Sequence, residues 1–430
     1  MNRITFNFLP HLACTACLLL SSAPTAQANQ WQDTVYDTTG FEIGGFVDTR
    51  AGFRLQDDAN ERDSSLGEIR LQLEADRDYD WGHISLKGDL LHDVVLKDST
   101  AELREISLLL YPSDNMDLKI GRQTLTWGTG DLIFINDMFP KDWQAFFIGR
   151  DNEYLKAPSD AIKTSVFFDH YSLNLIYTPV FNPSTYVSGE RLSYYNPATA
   201  SLAGRNARIT DEQPDSWFTD AEYALRLSRQ LQGWELALYG YSGFWKEPEG
   251  VNPLSGNYLF PALSVYGASV RGTMGGGIAN MEMGYYDSRD SDSGSNPNIR
   301  NSELRWLVGY EHEIGHELTG ALQYYVEWMQ DYSDYKSNLP AGMSRRDEYR
   351  HMLTLRLTKL LHNQNLIISL FAYYSPSDQD GHLRPKISYK ISDNWLVDGG
   401  ANIFWGEDES TFWGRFQDNT NIYAGLRYSF

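Results

Sequence analysis

The chain has little cysteine and no long apolar run. Only Cys14 and Cys17 are present among 430 residues, and both lie near the N-terminus. Mean hydropathy is −0.45 and no stretch of about 20 apolar residues occurs, which excludes a bundle of membrane-spanning helices. The nine histidines accompany no G-x-S-x-G nucleophile motif. We therefore predict that the chain is not an enzyme and uses no cofactor.

Positive charge is also scarce. Asp and Glu number 57 against 36 Lys and Arg, giving a formal net charge of −21. Basic patches are what nucleic-acid binding requires, so nucleic acid is not an expected partner.

The N-terminal residues have the pattern of an export signal. Arg3 precedes an apolar stretch through Leu18-Leu19-Leu20, and Ala26-Gln27-Ala28 forms an A-x-A cleavage site. The sequence predicts a signal peptide over residues 1–28, which would carry away both cysteines. Residues 29–40 are too short for a plug domain, and we expect them to form a leader strand ahead of one domain over residues 29–430.

Strict alternation of apolar and polar residues marks the other end of the chain. In the last ten residues, Ile422, Ala424, Leu426, Tyr428 and Phe430 share one face. Such a strand can place one face against lipid and the other against water.

Segments of this kind recur along the whole chain, and we count eighteen. They lie near residues 41–56, 65–77, 82–91, 101–111, 117–127, 161–169, 171–180, 217–229, 233–244, 260–271, 277–286, 302–312, 317–328, 348–360, 365–375, 382–391, 395–405 and 421–430. Alternation is weaker in 101–111 and 161–180, so sixteen strands stays an alternative. Even-numbered strands end in short turns and odd ones mostly in long polar loops, which is typical of an all-β transmembrane antiparallel β-barrel. Aromatic residues at 14% fit its two interfacial belts.

The loop over residues 128–160 is long and aromatic, with apolar patches such as Leu132 to Ile135 and Trp143 to Phe147. We predict that it folds into the barrel and narrows it. The alternative is that it packs over the rim against lipopolysaccharide. Its charged candidates for a constriction are Asp131, Asp137, Lys141, Asp142, Arg150, Asp151 and Glu153.

Alternation also places cations on the inner wall. The candidate pore-lining residues are Arg70, Arg122, Arg226, Arg305, Arg356, Arg384, Lys386 and Arg427, beside acids such as Glu68, Glu74, Glu282 and Glu303. An array of guanidinium groups could bind carboxylate-bearing solutes in passing. Equally, these charges could brace one another as ion pairs between neighbouring strands.

Two motifs suggest metal sites. His312-Glu313-Ile314-Gly315-His316 matches the H-E-x-x-H pattern of zinc peptidases, which requires a helix, but strand-like segments flank it. Asp287 to Gly294 is similar to a calcium loop but lacks the closing glutamate. We predict a turn and an external loop instead, with no metal.

The Ala26-Gln27-Ala28 signal, the terminal strand with Gly425, Tyr428 and Phe430, and the run from Ile120-Gly121-Arg122-Gln123 to Trp127-Gly128 resemble the porin superfamily of Gram-negative outer membranes. The resemblance extends to large porin-like and alginate-export-like barrels. It implies an outer-membrane barrel whose last strand is recognised by the barrel-assembly machinery. Alginate-export-like barrels imply a polyuronate substrate, but the inner wall here is less uniformly basic.

The main functional hypothesis is a channel for passive diffusion of small hydrophilic solutes, anionic ones included. One alternative is the outer-membrane component of an export or electron-transfer assembly, and another is a plugged structural or surface barrel. The expected partners are outer-membrane lipids, lipopolysaccharide and small solutes. The sequence leaves open whether the chain forms a homotrimer and whether it has partners in an export complex.

Overall fold

The computed structural model describes residues 4–5 and 25–430. Eighteen long strands form one closed antiparallel barrel, in which β1 pairs with both β2 and β18. The strands are β1 Glu42–Arg54, β2 Ser64–Tyr79, β3 Gly82–Asp93, β4 Asp98–Ser113, β5 Met116–Thr124, β6 Pro158–Phe167, β7 Tyr171–Thr178, β8 Glu222–Leu231, β9 Trp234–Phe244, β10 Ala262–Met274, β11 Gly277–Ser288, β12 Glu303–Gly315, β13 Leu318–Met329, β14 Tyr349–Leu361, β15 Leu366–Ser375, β16 Asp380–Lys390, β17 Trp395–Trp405 and β18 Asn421–Ser429. The predicted fold class and the count of eighteen are confirmed.

The weaker segments are strands as well, which removes the sixteen-strand alternative. Boundaries differ by a few residues: β5 ends at Thr124 rather than at residue 127, and β8 begins at Glu222 rather than at residue 217. Trp127 therefore lies outside the strand, where its ring contacts Phe139 with centroids 5.0 Å apart.

Burial alternates along the strands as the sequence predicts. In β18, Asn421, Tyr423 and Gly425 are buried, whereas Ile422 and Leu426 are exposed. An exposed apolar face and a buried polar face are what a strand between lipid and lumen requires. Exposed aromatic rings lie near both barrel ends: Trp81, Tyr111, Tyr171, Tyr389 and Trp395 at the short turns, and Tyr223, Tyr266, Trp328, Tyr349 and Trp405 at the long loops.

Within residues 25–430 the α-helices are α1 Thr25–Thr39, α2 Trp143–Ile148 and α3 Tyr332–Asn338. Short 3₁₀-helices span Asn152–Leu155, Asp292–Gly294 and Gly414–Asn419. Small strands outside the barrel are Tyr194–Asn196 paired with Ser201–Ala203, and Asp211–Glu212, Gly250–Val251 and Tyr258–Leu259 in a second sheet. No α-helix in the described ranges is both long and apolar enough to cross a membrane.

The predicted leader strand is wrong, because residues 29–40 belong mostly to α1. The backbone of this segment pairs with no strand of the barrel, and a helix satisfies its backbone hydrogen bonds internally. Gln32 donates a side-chain hydrogen bond to the Ile43 carbonyl, and Trp31 approaches Phe430 with ring centroids 6.1 Å apart. The predicted signal peptide lies largely outside the described residues. Within it, Ile4–Thr5 pairs with Ala101 and Thr100 of β4.

The three residues of the terminal assembly pattern lie at the closure of the barrel. Phe430 exchanges backbone hydrogen bonds with Gly45, and the ring of Tyr428 lies 4.9 Å from that of Trp395. Gly425 lies against the guanidinium of Arg50, where a Cβ atom would approach within 2.9 Å of the Arg50 Cζ atom. A larger residue at position 425 would thus displace this arginine.

Candidate channel interior

Most of the predicted wall cations are paired with carboxylates. Arg122 holds Asp160 with two hydrogen bonds of 2.8 and 2.7 Å, and Arg226 contacts Glu235 at 2.5 Å. The other pairs are Arg70 with Asp89 and Glu68, Arg305 with Glu303 and Glu327, Arg356 with Asp131 and Glu311, Lys386 with Asp151 and Asp398, and Arg427 with Asp48 and Glu153. The inner wall is thus cross-braced rather than a free guanidinium array.

Arg384 is the exception in the predicted set. No carboxylate of the described residues lies within ion-pair distance of it. Its Nε donates to Asn402 Oδ1 at 3.1 Å, and its guanidinium lies 3.6 Å from the centroid of the Phe146 ring. This cation is therefore held by a neutral amide and a ring face rather than by a counter-charge.

The structure brings the predicted loop acids to the predicted wall cations. Asp131 contacts Arg356 of β14, Glu153 contacts Arg427 of β18 at 2.8 Å, and Asp151 lies 3.6 Å from Lys386 of β16. These ion pairs tie residues 125–157, the connection between β5 and β6, to strands β14, β16 and β18.

Arg150 ties the same segment to β2. Its Nε and Nη2 atoms donate to both carboxylate oxygens of Glu68, at 2.5 to 3.0 Å, and its Nη1 lies 3.5 Å from Asp142. Asp142 also accepts a hydrogen bond from the Ala145 amide and so caps α2. Asp137 and Lys141 pair with each other at 3.0 Å and stabilise the turn before this helix.

Glu282 on β11 anchors the start of the segment. One carboxylate oxygen accepts hydrogen bonds from the Thr129 amide at 2.8 Å, the Thr129 hydroxyl at 3.1 Å and the Gly130 amide at 3.1 Å. The other accepts from the Asn136 amide at 2.8 Å and from its side chain at 3.0 Å. Glu282 is fully buried, so this carboxylate is satisfied almost entirely by loop donors.

Wall side chains also bond the backbone of the segment. The Tyr286 hydroxyl donates to the Ile135 carbonyl, the Tyr373 hydroxyl to the Leu132 carbonyl at 3.0 Å, and Asn421 to the Phe147 carbonyl at 3.0 Å. These donors lie on β11, β15 and β18. A loop lacks the regular backbone hydrogen bonds that join neighbouring strands. The bonds from the wall therefore satisfy carbonyl groups that would otherwise be buried without partners.

The apolar residues of the segment form the centre of the largest buried cluster in the described structure. Ile135, Phe146, Phe147 and Ile148 are all buried, and the ring of Phe147 contacts those of Phe404, Trp413 and Phe416. Burying an apolar side chain of this size contributes about 1.5–3 kcal/mol. The aromatic patch noted in the sequence is thus covered by side chains of the wall and of another loop.

The predicted pore-lining set omits several charged residues of the interior. Arg50 of β1 pairs with Asp48 of the same strand and with Asp398 of β17, and the two β1 residues lie on the polar face of their alternating segment. Arg300 and Arg346 converge on Glu303 and Glu327 from two loops, at 2.7 to 3.0 Å. No periodic signal orients a loop residue, so only the β1 residues could have been found from the sequence.

The two metal motifs have no metal-site geometry. His312 lies in strand β12 and His316 in the following turn, so the helical spacing that a zinc peptidase requires does not occur. Asp287 and Ser288 end β11, and a loop follows. No group of three or more His, Cys, Asp or Glu side chains suited to a metal occurs in residues 4–5 and 25–430.

Glu61 is expected to make the β1–β2 loop sensitive to pH. It lies in the β1–β2 loop against Gly204, and burial raises its pKa to about 7, partly offset by Arg54. The unfolded residue ionises near its ordinary pKa of 4.5, so the folded chain retains a proton that the unfolded chain loses. Stability contributed here is present below pH 4.5 and falls as the pH rises toward 7.

We expect protease cleavage of residues 55–63 to be faster at pH 8 than at pH 5.5, relative to a loop elsewhere in the barrel. Glu61→Gln should remove most of that difference, because the amide cannot ionise. Cleavage of Glu61→Gln with the same pH dependence as the parent chain would contradict the assignment. Mass spectrometry of the fragments identifies the loop that is cut.

Solved structures of other proteins share this architecture. OccAB3 of Acinetobacter baumannii aligns over 91% of this chain and 99% of its own, with 10% identity and a TM-score of 0.53. OccK11 of Pseudomonas aeruginosa aligns over 91% and 96%, with 10% identity and a TM-score of 0.52. The chain has the barrel fold of outer-membrane porins. At this identity the likeness concerns the fold alone. The sequence matches no protein-family model and no curated protein.

Proposed function

We propose that the protein is an outer-membrane channel for passive diffusion of small hydrophilic solutes, anionic ones included, and that residues 125–157 fold into its lumen and set its bore. The observation that carries the proposal is the attachment of this one segment to strands around the barrel. Glu282 and Tyr286 hold it on one side, and Arg356 and Arg427 hold it on another. A segment bonded across the barrel leaves only the space beside it for solutes.

The arrangement of charge explains how polar solutes could pass. The wall–loop ion pairs are partly exposed, with Arg356 and Asp131 each retaining about a third of their side-chain surface. Paired charges of both signs at the boundary of the space favour water over apolar solutes. Arg384 of β16, which has no ion-pair partner among the described residues, supplies positive charge that would favour anions.

Liposome swelling tests the proposal with the mature chain refolded into phospholipid vesicles. We expect swelling with arabinose, slower swelling with glucose, and little with a trisaccharide, because a loop-narrowed bore sieves by size. The swelling rates with gluconate and glucose, which are similar in size, then show the effect of a negative charge on passage. Gluconate should pass at least as fast as glucose. Absence of swelling with arabinose would contradict the channel.

A plugged structural barrel is the second candidate, and the dense packing of Phe146, Phe147 and Ile148 favours it. It predicts no swelling with any solute, even when residues 132–157 are deleted. The two candidates therefore differ in a measured outcome.

A further inference from the structure

A cavity of about 510 Å³ lies at the long-loop end of the barrel. Residues between 132 and 147 line it, together with the loops that follow β7, β9, β11, β13, β15 and β17 and the adjoining strand ends. Its volume is in the range that accommodates a drug-sized molecule.

The lining combines rings with an excess of cations. Phe147, Tyr373, Phe412 and Trp413 are among its many aromatic residues, and eight lysine and arginine residues face six aspartates and glutamates. Arg350 and Arg415 lie over the same ring, with their guanidinium carbons 4.9 and 5.4 Å from the centroid of Phe412. Two cations on one aromatic residue place positive charge directly beside an apolar surface.

Two buried donors at this wall have no partner among the described residues. The Nε1 of Trp413 is one, and Trp413 is only 3% exposed; the other is the Nη2 of Arg350, whose Nε is held by Asp378 at 2.7 Å. Buried polar groups are normally hydrogen-bonded, and a donor left without a partner destabilises the folded state. Both groups can only donate, so the missing partner must be an acceptor.

Arg415 adds a further cation at this wall. It donates to the Thr411 carbonyl at 3.3 Å, and no carboxylate within the described part of the chain forms an ion pair with it. Burial lowers the pKa of Arg415 below its ordinary value and Arg350 adds to this, while the charges of Glu249 and Asp380 partly offset it. An anion in direct contact would oppose the lowering further. Neither carboxylate is free to serve as that anion, since Asp380 accepts from the Trp413 amide and does not line the cavity, and Glu249 is paired with Arg300.

We propose that this cavity binds amphipathic organic anions, with a carboxylate or sulfonate held by Arg350, Arg415 and the indole N–H of Trp413, and an apolar ring-bearing body lying against Phe147, Tyr373 and Phe412. The inference rests on the proposed channel function and deepens it, since the cavity precedes the narrowed bore. Solutes of this class would be concentrated at the mouth before they pass.

Calorimetric titration of the full mature chain in lipid nanodiscs tests the site with 2-naphthoate, and protein-free nanodiscs correct for partitioning into lipid. Neutral 2-naphthylmethanol lacks the anion and acetate lacks the rings, so each should bind at least tenfold more weakly than 2-naphthoate. Arg415→Met should weaken 2-naphthoate binding at least tenfold, and Trp413→Phe should weaken it severalfold while retaining an aromatic ring.

Arg77→Met and Trp81→Phe are matched controls, because these residues lie beside Tyr79 near the β2–β3 turn, at the opposite end of the barrel. Binding that is equal for the acid and the alcohol, or unchanged in both cavity variants, would overturn the assignment. If the binding result were of this kind and arabinose still caused swelling, the channel proposal would remain supported and only this site would be rejected. Selective binding without swelling would support the site and reject the channel.

Discussion

Replacing Glu282 with alanine is expected to raise the single-channel conductance and to lower thermal stability. The carboxylate accepts five hydrogen bonds from Thr129, Gly130 and Asn136, and alanine leaves all five donors without it. Each buried donor left without an acceptor costs about 1–3 kcal/mol. The donors of the segment can regain hydrogen bonds with water if the segment moves, so we expect it to leave its position. Planar-bilayer recording measures the conductance, and electrophoretic mobility after heating measures stability.

Glu74→Ala is the matched control for this variant. Glu74 is a carboxylate of β2 whose partner is Lys87 on the adjacent strand, at 2.8 Å, rather than the inserted segment. Its replacement should leave the conductance close to that of the parent chain. Equal conductance in Glu282→Ala and the parent would show that the anchor does not hold the segment in place.

Replacing Glu68 with alanine should be the most destabilising single change at the wall. It leaves Arg150 buried without its main counter-charge and removes a partner of Arg70. Breaking a buried ion pair by removing one member typically costs about 3–5 kcal/mol. Urea titration of the folded barrel in detergent, followed by tryptophan fluorescence, should show the loss as a lower midpoint.

A double-mutant cycle separates the pair from general damage. Arg150→Met removes the orphaned charge, so Glu68→Ala combined with Arg150→Met should recover part of the stability lost in Glu68→Ala alone. Additive losses in the double variant would mean that the two side chains are not coupled. The cycle thus tests the link between β2 and the segment directly.

Most of the barrel could be predicted because a strand between lipid and lumen must alternate. That single constraint located all eighteen strands to within a few residues, including β4, β6 and β7, where alternation is weak. It could not predict α1. This short polar segment does not separate lipid from lumen, so its sequence has no reason to alternate between apolar and polar residues. The helix contacts Ile43 and Phe430 at the barrel end, and Phe430 is distant from it in sequence.

The interior was predictable only in part. Alternation places Arg356 on the wall, and aromatic content marks residues 128–160 as buried, yet the pairing of Arg356 with Asp131 joins residues 225 positions apart in the chain. Nothing local encodes the path of a loop between two such points. The cavity depends still more on loop paths, since Arg415 and Trp413 lie in a loop and Arg350 at a strand end.

Residues 125–157 are expected to narrow an otherwise open barrel. Single-channel conductance of residues 29–430 is to be compared with that of a variant that also lacks residues 132–157, in which seven residues of the connection remain to join β5 and β6. We predict small, discrete openings in the chain with the segment and a several-fold larger conductance after the deletion. Silence in both proteins, or equal conductance in the two, would contradict it.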